Sequence, residues 1–469
     1  MRLPLIVTSL LISVISPLSS SFAAPIKPHF PNSEILPPST RVGLIAKSPS
    51  STLLYQNKDM LFPPASTLKL VTALAAKLEL GDTFRYTTQL EKEDNNLILR
   101  FSGDPSLTTK DLEKLFDQAE IKQIKGDLII DQTAFTGYEK GVGWPWDILG
   151  VCYSTPSSAI SVDGNCVMAS IYTNANGTTR VFTPPHQPVV VSTNAKAVTR
   201  QQQKDRYCDL DLSATQTNHY QLSGCLVKQD NPLPLNFAVQ NPFLYSSAIL
   251  HNTLEKKGIK LAGTIKLAPQ PSTFGKPVAF HHSEPLPVLL EHMLKDSDNL
   301  YANNLSKTLG AHYFKQAGSF KNGTEAIKQI LKKKAKINLE DSILEDGSGL
   351  SRNNRMTPQQ MYSILKYIKA QDHKLNLIIL MPKSGENGTL KYRSSMTKAP
   401  VKGQVIAKSG SLFATHNMAG FVLDELGAPS TIFVQYITDY HPQKNTNLIS
   451  PLTRFEQELY QNLIKSTKE

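Results

Sequence analysis

Ser66 and Lys69 stand three residues apart at the head of an apolar run that follows Pro63-Pro64 and stops near Leu80-Gly81. Prolines just before and a glycine just after predict a helix between them. The spacing places hydroxyl and amine on one helical face. Leu68, Leu70, Val71, Ala73, Leu74, Ala75, Ala76, Leu78 and Leu80 leave almost no polar side, and a helix apolar all round is a buried one. A buried lysine is costly as structure and useful as chemistry. Its reference pKa of ~10.4 falls on desolvation or beside another cation, so the neutral amine can take the serine's proton. The helix N-terminus favours the negative charge that develops when the serine attacks a carbonyl. The pair alone is weak evidence, because Ser395 and Lys398 repeat the spacing in a polar stretch. The plain structural alternative makes Ser66 a helix cap and lets Lys69 snorkel to the surface.

Two further groups bear on that choice. Ser297-Asp298-Asn299 interrupts two helical segments, where a serine and an amide can point into a cleft. Lys408-Ser409-Gly410 continues a predicted strand from Gln404-Val405-Ile406-Ala407, with Gly410 expected to let a substrate backbone approach closely. Each has a decoy: Ser351-Arg352-Asn353 repeats the first pattern, and Lys383-Ser384-Gly385 repeats the second in a loop. The strand lysine could also be an edge residue that blocks aggregation. All three motifs, in order and each on a suitable element, make a specific set.

The elements that must hold them lie far apart in the chain. At 469 residues the chain exceeds one ordinary domain, given ~150 residues per domain. Arg41 to Ala46 and Thr52 to Tyr55 read as strands joined by a turn at Ser48 to Ser51, ahead of the buried helix. From Phe84 to about Val278 short β-like segments such as Asn96 to Phe101 and Asp127 to Ile130 alternate with turns. This predicts a β-rich insert over 84–278, of two subdomains. Helices follow at Leu286 to Leu294, onward through Ala311, at Thr324 to Lys334 and at Pro358 to Ala370. Strands follow at Lys402 to Ser411, Met418 to Leu423 and Thr431 to Ile437. Leu452, Phe455, Leu459 and Leu463 then recur at helical spacing, which suits packing on a sheet better than a membrane surface. Strands from both ends with helices between predict one discontinuous domain, 24–83 plus 279–469. Its class is α/β (α+β), an antiparallel sheet flanked by helices.

Compartment and charge narrow the function. Arg2, the apolar run Leu3 to Ile15 and the small-x-small Ser21-Phe22-Ala23 form an export leader over 1–23, too short and broken to be a permanent membrane anchor. Cys152, Cys166, Cys208 and Cys225 lack metal-site spacing. In an oxidising compartment sequential bridges are the simplest of three connectivities. Loss of the leader removes one arginine and no acid, taking the formal charge from +11 to about +10. Export and scattered lysines argue against nucleic acid and leave a solvated basic surface or attraction to an anionic envelope.

The motif trio is the one shared by penicillin-binding proteins and class A β-lactamases. Pro64-Ala65-Ser66-Thr67-Leu68-Lys69, Gly103-Asp104-Pro105-Ser106-Leu107, Gly143-Trp144-Pro145-Trp146, Asp346-Gly347-Ser348-Gly349-Leu350-Ser351-Arg352 and Gly388-Thr389-Leu390 extend the likeness. Over essentially the whole mature chain the sequence resembles class C low-molecular-mass penicillin-binding proteins. Within them it is similar to the periplasmic D-alanyl-D-alanine carboxypeptidase/endopeptidases of Gram-negative bacteria. The resemblance implies a serine β-lactamase/transpeptidase-like domain with β-rich domains nested between its first two motifs. It implies peptidoglycan stem peptides and cross-links as substrates, β-lactam antibiotics as acylating ligands, and no metal or cofactor.

The roles it implies are specific. Ser66 is the nucleophile, Lys69 its general base, and Ser297 a relay to the leaving amine, held by Lys408. Asn299 donates to the substrate amide. Lys408 and Ser409 bind the terminal carboxylate, and the N–H groups of Ser66 and Ser411 form the oxyanion hole. Asp163 and Arg352 match the family's acid and arginine for a zwitterionic diamino acid, although Asp163 also reads as a turn residue before Gly164-Asn165. Ser409 stands where threonine is usual, and Phe413 where some relatives carry a polar side chain. A class A-like β-lactamase and a non-catalytic wall-binding scaffold are the other readings. No class A-type glutamate motif is present, and a scaffold has no need of a buried lysine.

Overall fold

The computed structural model describes residues 33–48, 54–269, 275–442 and 449–468. The expected leader, most of the Ser48 to Ser51 turn, and Thr52 and Leu53 of the second expected strand lie outside the described residues. The central sheet runs Val405–Leu412, Thr415–Leu423, Pro429–Thr438, Arg41–Lys47, Leu54–Gln56, antiparallel throughout. The first long strand therefore lies inside the sheet, with Arg41 opposite Thr438 and Lys47 opposite Ile432. The period-two alternation sorts its side chains. Ile45, Phe421, Ile432, Val434 and Tyr436 enter one core, whereas Val42, Leu44, Ala46, Val422, Phe433 and Ile437 enter a second on the opposite face. Against the first face lies α1 (Lys69–Glu79), preceded by a 3-10 turn at Ala65–Leu68. Leu70 to Ala76 are all buried, as an all-round apolar helix requires.

The segment between α1 and the later helices is less purely β than the sequence suggests. It holds α2 (Thr109–Ala119), the short α3 (Arg200–Asp205) and α4 (Pro242–Lys256). Thr108 and Asp111 form a capping box on α2, and Asn241 caps α4 with Pro242 in its first turn, signals that turn-rich surroundings obscured. Both helices pack on a five-stranded sheet ordered Ile265–Leu267, Leu128–Asp131, Asn96–Arg100, Thr87–Glu93, Lys276–His282. Its last strand pairs with Thr87–Glu93, so a boundary at 278 falls within a strand, and the chain leaves this sheet only after His282. Among the described residues a four-stranded, a three-stranded and a two-stranded sheet complete the segment. Cys152–Cys166 and Cys208–Cys225 are bridged, with Cα separations of 5.3 and 5.6 Å.

Four helices then return the chain to the central sheet: α5 (Leu286–Lys295), α6 (Asn299–Phe314), α7 (Phe320–Ile330) and α8 (Pro358–Leu375). α7 begins earlier than expected because Ser319 and Asn322 form a capping box, and it ends in a wider π turn at Leu331–Ala335. α9 (Pro451–Lys468) closes the second face, burying Phe455, Leu459, Tyr460 and Leu463. Its apolar side is thus spent on the sheet. Among the described residues no helix is long and apolar enough to cross a membrane.

Candidate active site

The three motifs meet at one edge of the central sheet. Ser66 lies on the 3-10 turn and Lys69 opens α1. Lys69 is completely buried, and its Nζ donates to Ser66 Oγ (3.1 Å), Asn299 Oδ1 (2.6 Å) and the Ser348 carbonyl (2.9 Å). Burial lowers its pKa to about 7, against the opposing pull of Asp346 and Asp298. Ser66 therefore faces an amine that is readily neutral, and no side-chain cap is found on the turn or on α1. This is the arrangement of a nucleophile beside its base.

Ser297 adopts a left-handed backbone (φ 60°) in the turn before α6, and Asp298 caps the helix by accepting from the Tyr301 N–H. Asn299 is the first residue of α6. Its amide nitrogen donates to the Tyr153 carbonyl at 2.7 Å while its oxygen holds Lys69. Lys408 Nζ, also fully buried, donates to Ser297 Oγ at 3.0 Å. Its pKa is lowered well below the usual lysine value, first by burial and then by Lys69. Ser409 Oγ donates to Thr389 Oγ1 at 2.7 Å. Packing alone requires Gly410: a Cβ there would lie 2.9 Å from the Ser66 nitrogen and 3.0 Å from the Pro64 carbonyl. The strand is a glycine at this point because it packs against the turn that carries Ser66.

A cleft of about 410 Å³ opens over these groups, lined by Ser66, Ser297, Asn299, Ser411, Leu350 and Arg352 among others. The Arg352 guanidinium lies 5.8 Å from the ring centre of the exposed Phe413. Pro145, Ile148 and Tyr153 from the insert form the facing wall. A larger cavity of about 710 Å³, between α7 and Thr136 of the insert, contains none of the motif residues.

Asp163 is placed elsewhere. It is not among the cleft's lining residues, and its carboxylate accepts from the backbone N–H (3.0 Å) and hydroxyl (2.5 Å) of Thr109 at the start of α2. With φ of 50° it is the turn residue that its neighbours Gly164-Asn165 suggested. An acid of the insert that acts on a residue of the cleft wall is Asp147. Tyr153's hydroxyl is pushed up by burial and by Asp147, against the opposite effect of Arg352. Asp147 directly follows Gly143-Trp144-Pro145-Trp146, and nothing in that stretch marks it as facing Tyr153. Thr389 and Ser348 likewise lay inside recognised stretches, but only the fold shows which partner each one meets. The two decoy motifs serve structure: Ser351 Oγ binds the Val142 carbonyl and Ser384 Oγ the Val401 carbonyl.

The model of the D-Ala-D-Ala carboxypeptidase 3 (S13) family matches residues 35–459. The chain is 37% identical over 468 residues to the D-alanyl-D-alanine carboxypeptidase DacB of Haemophilus influenzae, covering 96% of this chain and 97% of that one. It is 25% identical over 383 residues to a D-alanyl-D-alanine carboxypeptidase of Actinomadura sp., covering 76% and 70%. The crystal structure of penicillin binding protein 4 from Haemophilus influenzae superposes with a TM-score of 0.85 at 37% identity, over 93% of this chain and 98% of that one. Its complex with a β-lactam superposes with a TM-score of 0.81 at 35% identity, over the same 93% and 98%.

Proposed function

The chain belongs to the D-Ala-D-Ala carboxypeptidase 3 (S13) family, and from that premise we propose that it is a periplasmic serine DD-peptidase working through an acyl-serine. Its substrates are the D-alanyl-D-alanine termini and D-alanyl cross-links of peptidoglycan, and β-lactams acylate it. The observation that carries this reading is the buried Lys69 amine 3.1 Å from Ser66 Oγ.

Neutral Lys69 removes the Ser66 proton as Oγ attacks the carbonyl carbon of the D-alanyl-D-alanine bond. The oxyanion of the tetrahedral intermediate is held by the N–H groups of Ser66 and Ser411. As the C–N bond breaks, Ser297, held by the Lys408 cation, relays the proton that Lys69 took up to the departing D-alanine amine, which leaves Lys69 neutral again. The substrate's terminal carboxylate supplies Lys408 with a counter-charge, so this amine holds its proton once substrate is bound. Ser409 donates its hydroxyl to the same carboxylate. Asn299 holds the amide carbonyl of the acyl part. Water, with its proton taken by Lys69, then attacks the ester carbonyl and frees Ser66. Arg352 faces the carboxylate of the peptide's diamino acid.

Fluorescent penicillin and a D-alanyl-D-alanine-terminated stem peptide test this together. Persistent label with release of free D-alanine is the expected result. Label that forms and is lost within minutes would mark a β-lactamase, and no label with no D-alanine release would leave a wall-binding scaffold.

A further inference from the structure

Asp346 is completely buried and accepts five hydrogen bonds. Oδ1 receives the Ser348 N–H (3.2 Å), the Gly349 N–H (2.8 Å) and the Asn354 side-chain amide (3.0 Å). Oδ2 receives the Ser351 N–H (2.7 Å) and the indole N–H of Trp144 (2.9 Å). Every partner is a donor, which suits an acceptor-only carboxylate and nothing else of its size. An asparagine would turn its own N–H groups toward one of the two sets.

The loop folded around this carboxylate touches the catalytic pair directly. Its Ser348 carbonyl accepts from Lys69 Nζ at 2.9 Å, and its Gly347 carbonyl accepts from Thr72 of α1 at 2.7 Å. Gly349, with φ of 85°, runs so close to the nucleophile's turn that a Cβ there would lie 1.9 Å from the Ala65 carbonyl oxygen. The charges facing Lys69 are Asp346, Asp298 and Lys408, and Asp346 is the stronger of the two acids that favour its protonated form.

The same loop is gripped by the insert, more than 200 residues away in sequence. Trp144 reaches Asp346, the Gly143 carbonyl accepts from the Arg352 N–H (3.0 Å), and the Val142 carbonyl accepts from Ser351 Oγ (2.7 Å). Trp144 is itself wedged edge-on against Phe320 of α7 and over Gly141.

We propose that Asp346 is a positioning residue for Lys69, and that through Trp144 it makes the seat of the base depend on the docked insert. The inference rests on Lys69 being the general base.

The test is the pH profile of acylation by benzylpenicillin in the full chain, for wild type, Asp346→Asn, Asp346→Glu and Trp144→Phe, each rate normalised to the folded fraction. Loss of the Asp346 charge removes a force that keeps Lys69 protonated, so the acid limb of Asp346→Asn moves to lower pH. The misplaced carbonyl and turn lower its plateau about 10- to 100-fold. Asp346→Glu keeps the charge and loses the fit, so its plateau falls with the limb near the wild-type position. Trp144→Phe keeps the ring and the carboxylate, and its rate falls roughly three- to tenfold with the limb unmoved. An unmoved limb in Asp346→Asn, or Trp144→Phe acylating at the wild-type rate, overturns the inference. Should Asp346→Asn fail to fold, Trp144→Phe decides alone. A wild-type profile flat through pH 7 would instead overturn the general-base reading, and this inference with it.

Discussion

Lys69 shows how one side chain is made reactive by what surrounds it. Its amine is lowered to about 7 chiefly by burial, whereas Lys307, buried on α6 between the Tyr138 and Ser157 carbonyls, is lowered to about 8 by the same cause. A general base acts when unprotonated, so acylation should rise with pH through about 7 and fall roughly tenfold per pH unit below it. Stopped-flow acylation by a chromogenic cephalosporin checks the sign. A rate that declines as pH rises through this range would assign the lysine an acid's role. Ser66→Ala should abolish both labelling and D-alanine release. Because Ser66 caps nothing, its unfolding free energy should stay within about 0.5 kcal/mol of wild type, less than a lost cap costs. Calorimetry on the variant decides between nucleophile and cap.

Among the elements, α2 and α6 contrast most. α2 is held at its N-terminus by its own capping box and by Asp163 from a distant turn. α6 begins at Asn299, and its first turns are polar where they meet the insert. Asn304 donates to the Gly103 and Ser158 carbonyls, and Lys307 to those of Tyr138 and Ser157. Asp163→Ala should therefore cost stability by about 1 kcal/mol, the value of a helix cap, and change peptide hydrolysis and penicillin acylation by the same small factor. Arg352→Ala should lower turnover of diaminopimelate-containing peptides roughly tenfold, the loss of one charge-assisted hydrogen bond, with penicillin acylation nearly unchanged. Parallel rates on the two substrates test both. Selective loss in the Asp163 variant would return that residue to the substrate.

At the scale of the whole molecule, the insert behaves as one wall of the cleft rather than an appendage. Tyr153, whose carbonyl holds Asn299, is covalently next to Cys152, and Cys152 is bridged to Cys166. The Cys208–Cys225 bridge ties the segment just before the strand Leu210–Ala214 to the strand His219–Val227, away from Asn299. Opening either loop should cost about 3 kcal/mol in the chain-entropy account, but the effects on activity should differ. Cys152→Ser with Cys166→Ser should slow acylation severalfold in the folded fraction, whereas Cys208→Ser with Cys225→Ser should lower the melting temperature alone. Equal acylation rates in the two double variants would show that the cleft wall is held without its bridge.

Some of this was legible in residue order. The all-round apolar helix, the strand from Arg41 to Ala46 and each motif of the trio are set by periodicity and spacing within a few residues, where backbone geometry alone relates neighbours. The helices of the insert carried local caps too, but they were masked by the turn-rich composition around them. Tertiary structure alone decided that Asp163 serves α2 and that Asp147 acts on Tyr153 of the cleft wall. It also decided that Thr389 meets Ser409 and that Asp346 gathers donors from two distant parts of the chain. A polar side chain's partner is whichever group packing brings within about 3 Å, and across 200 residues nothing in local sequence encodes that distance.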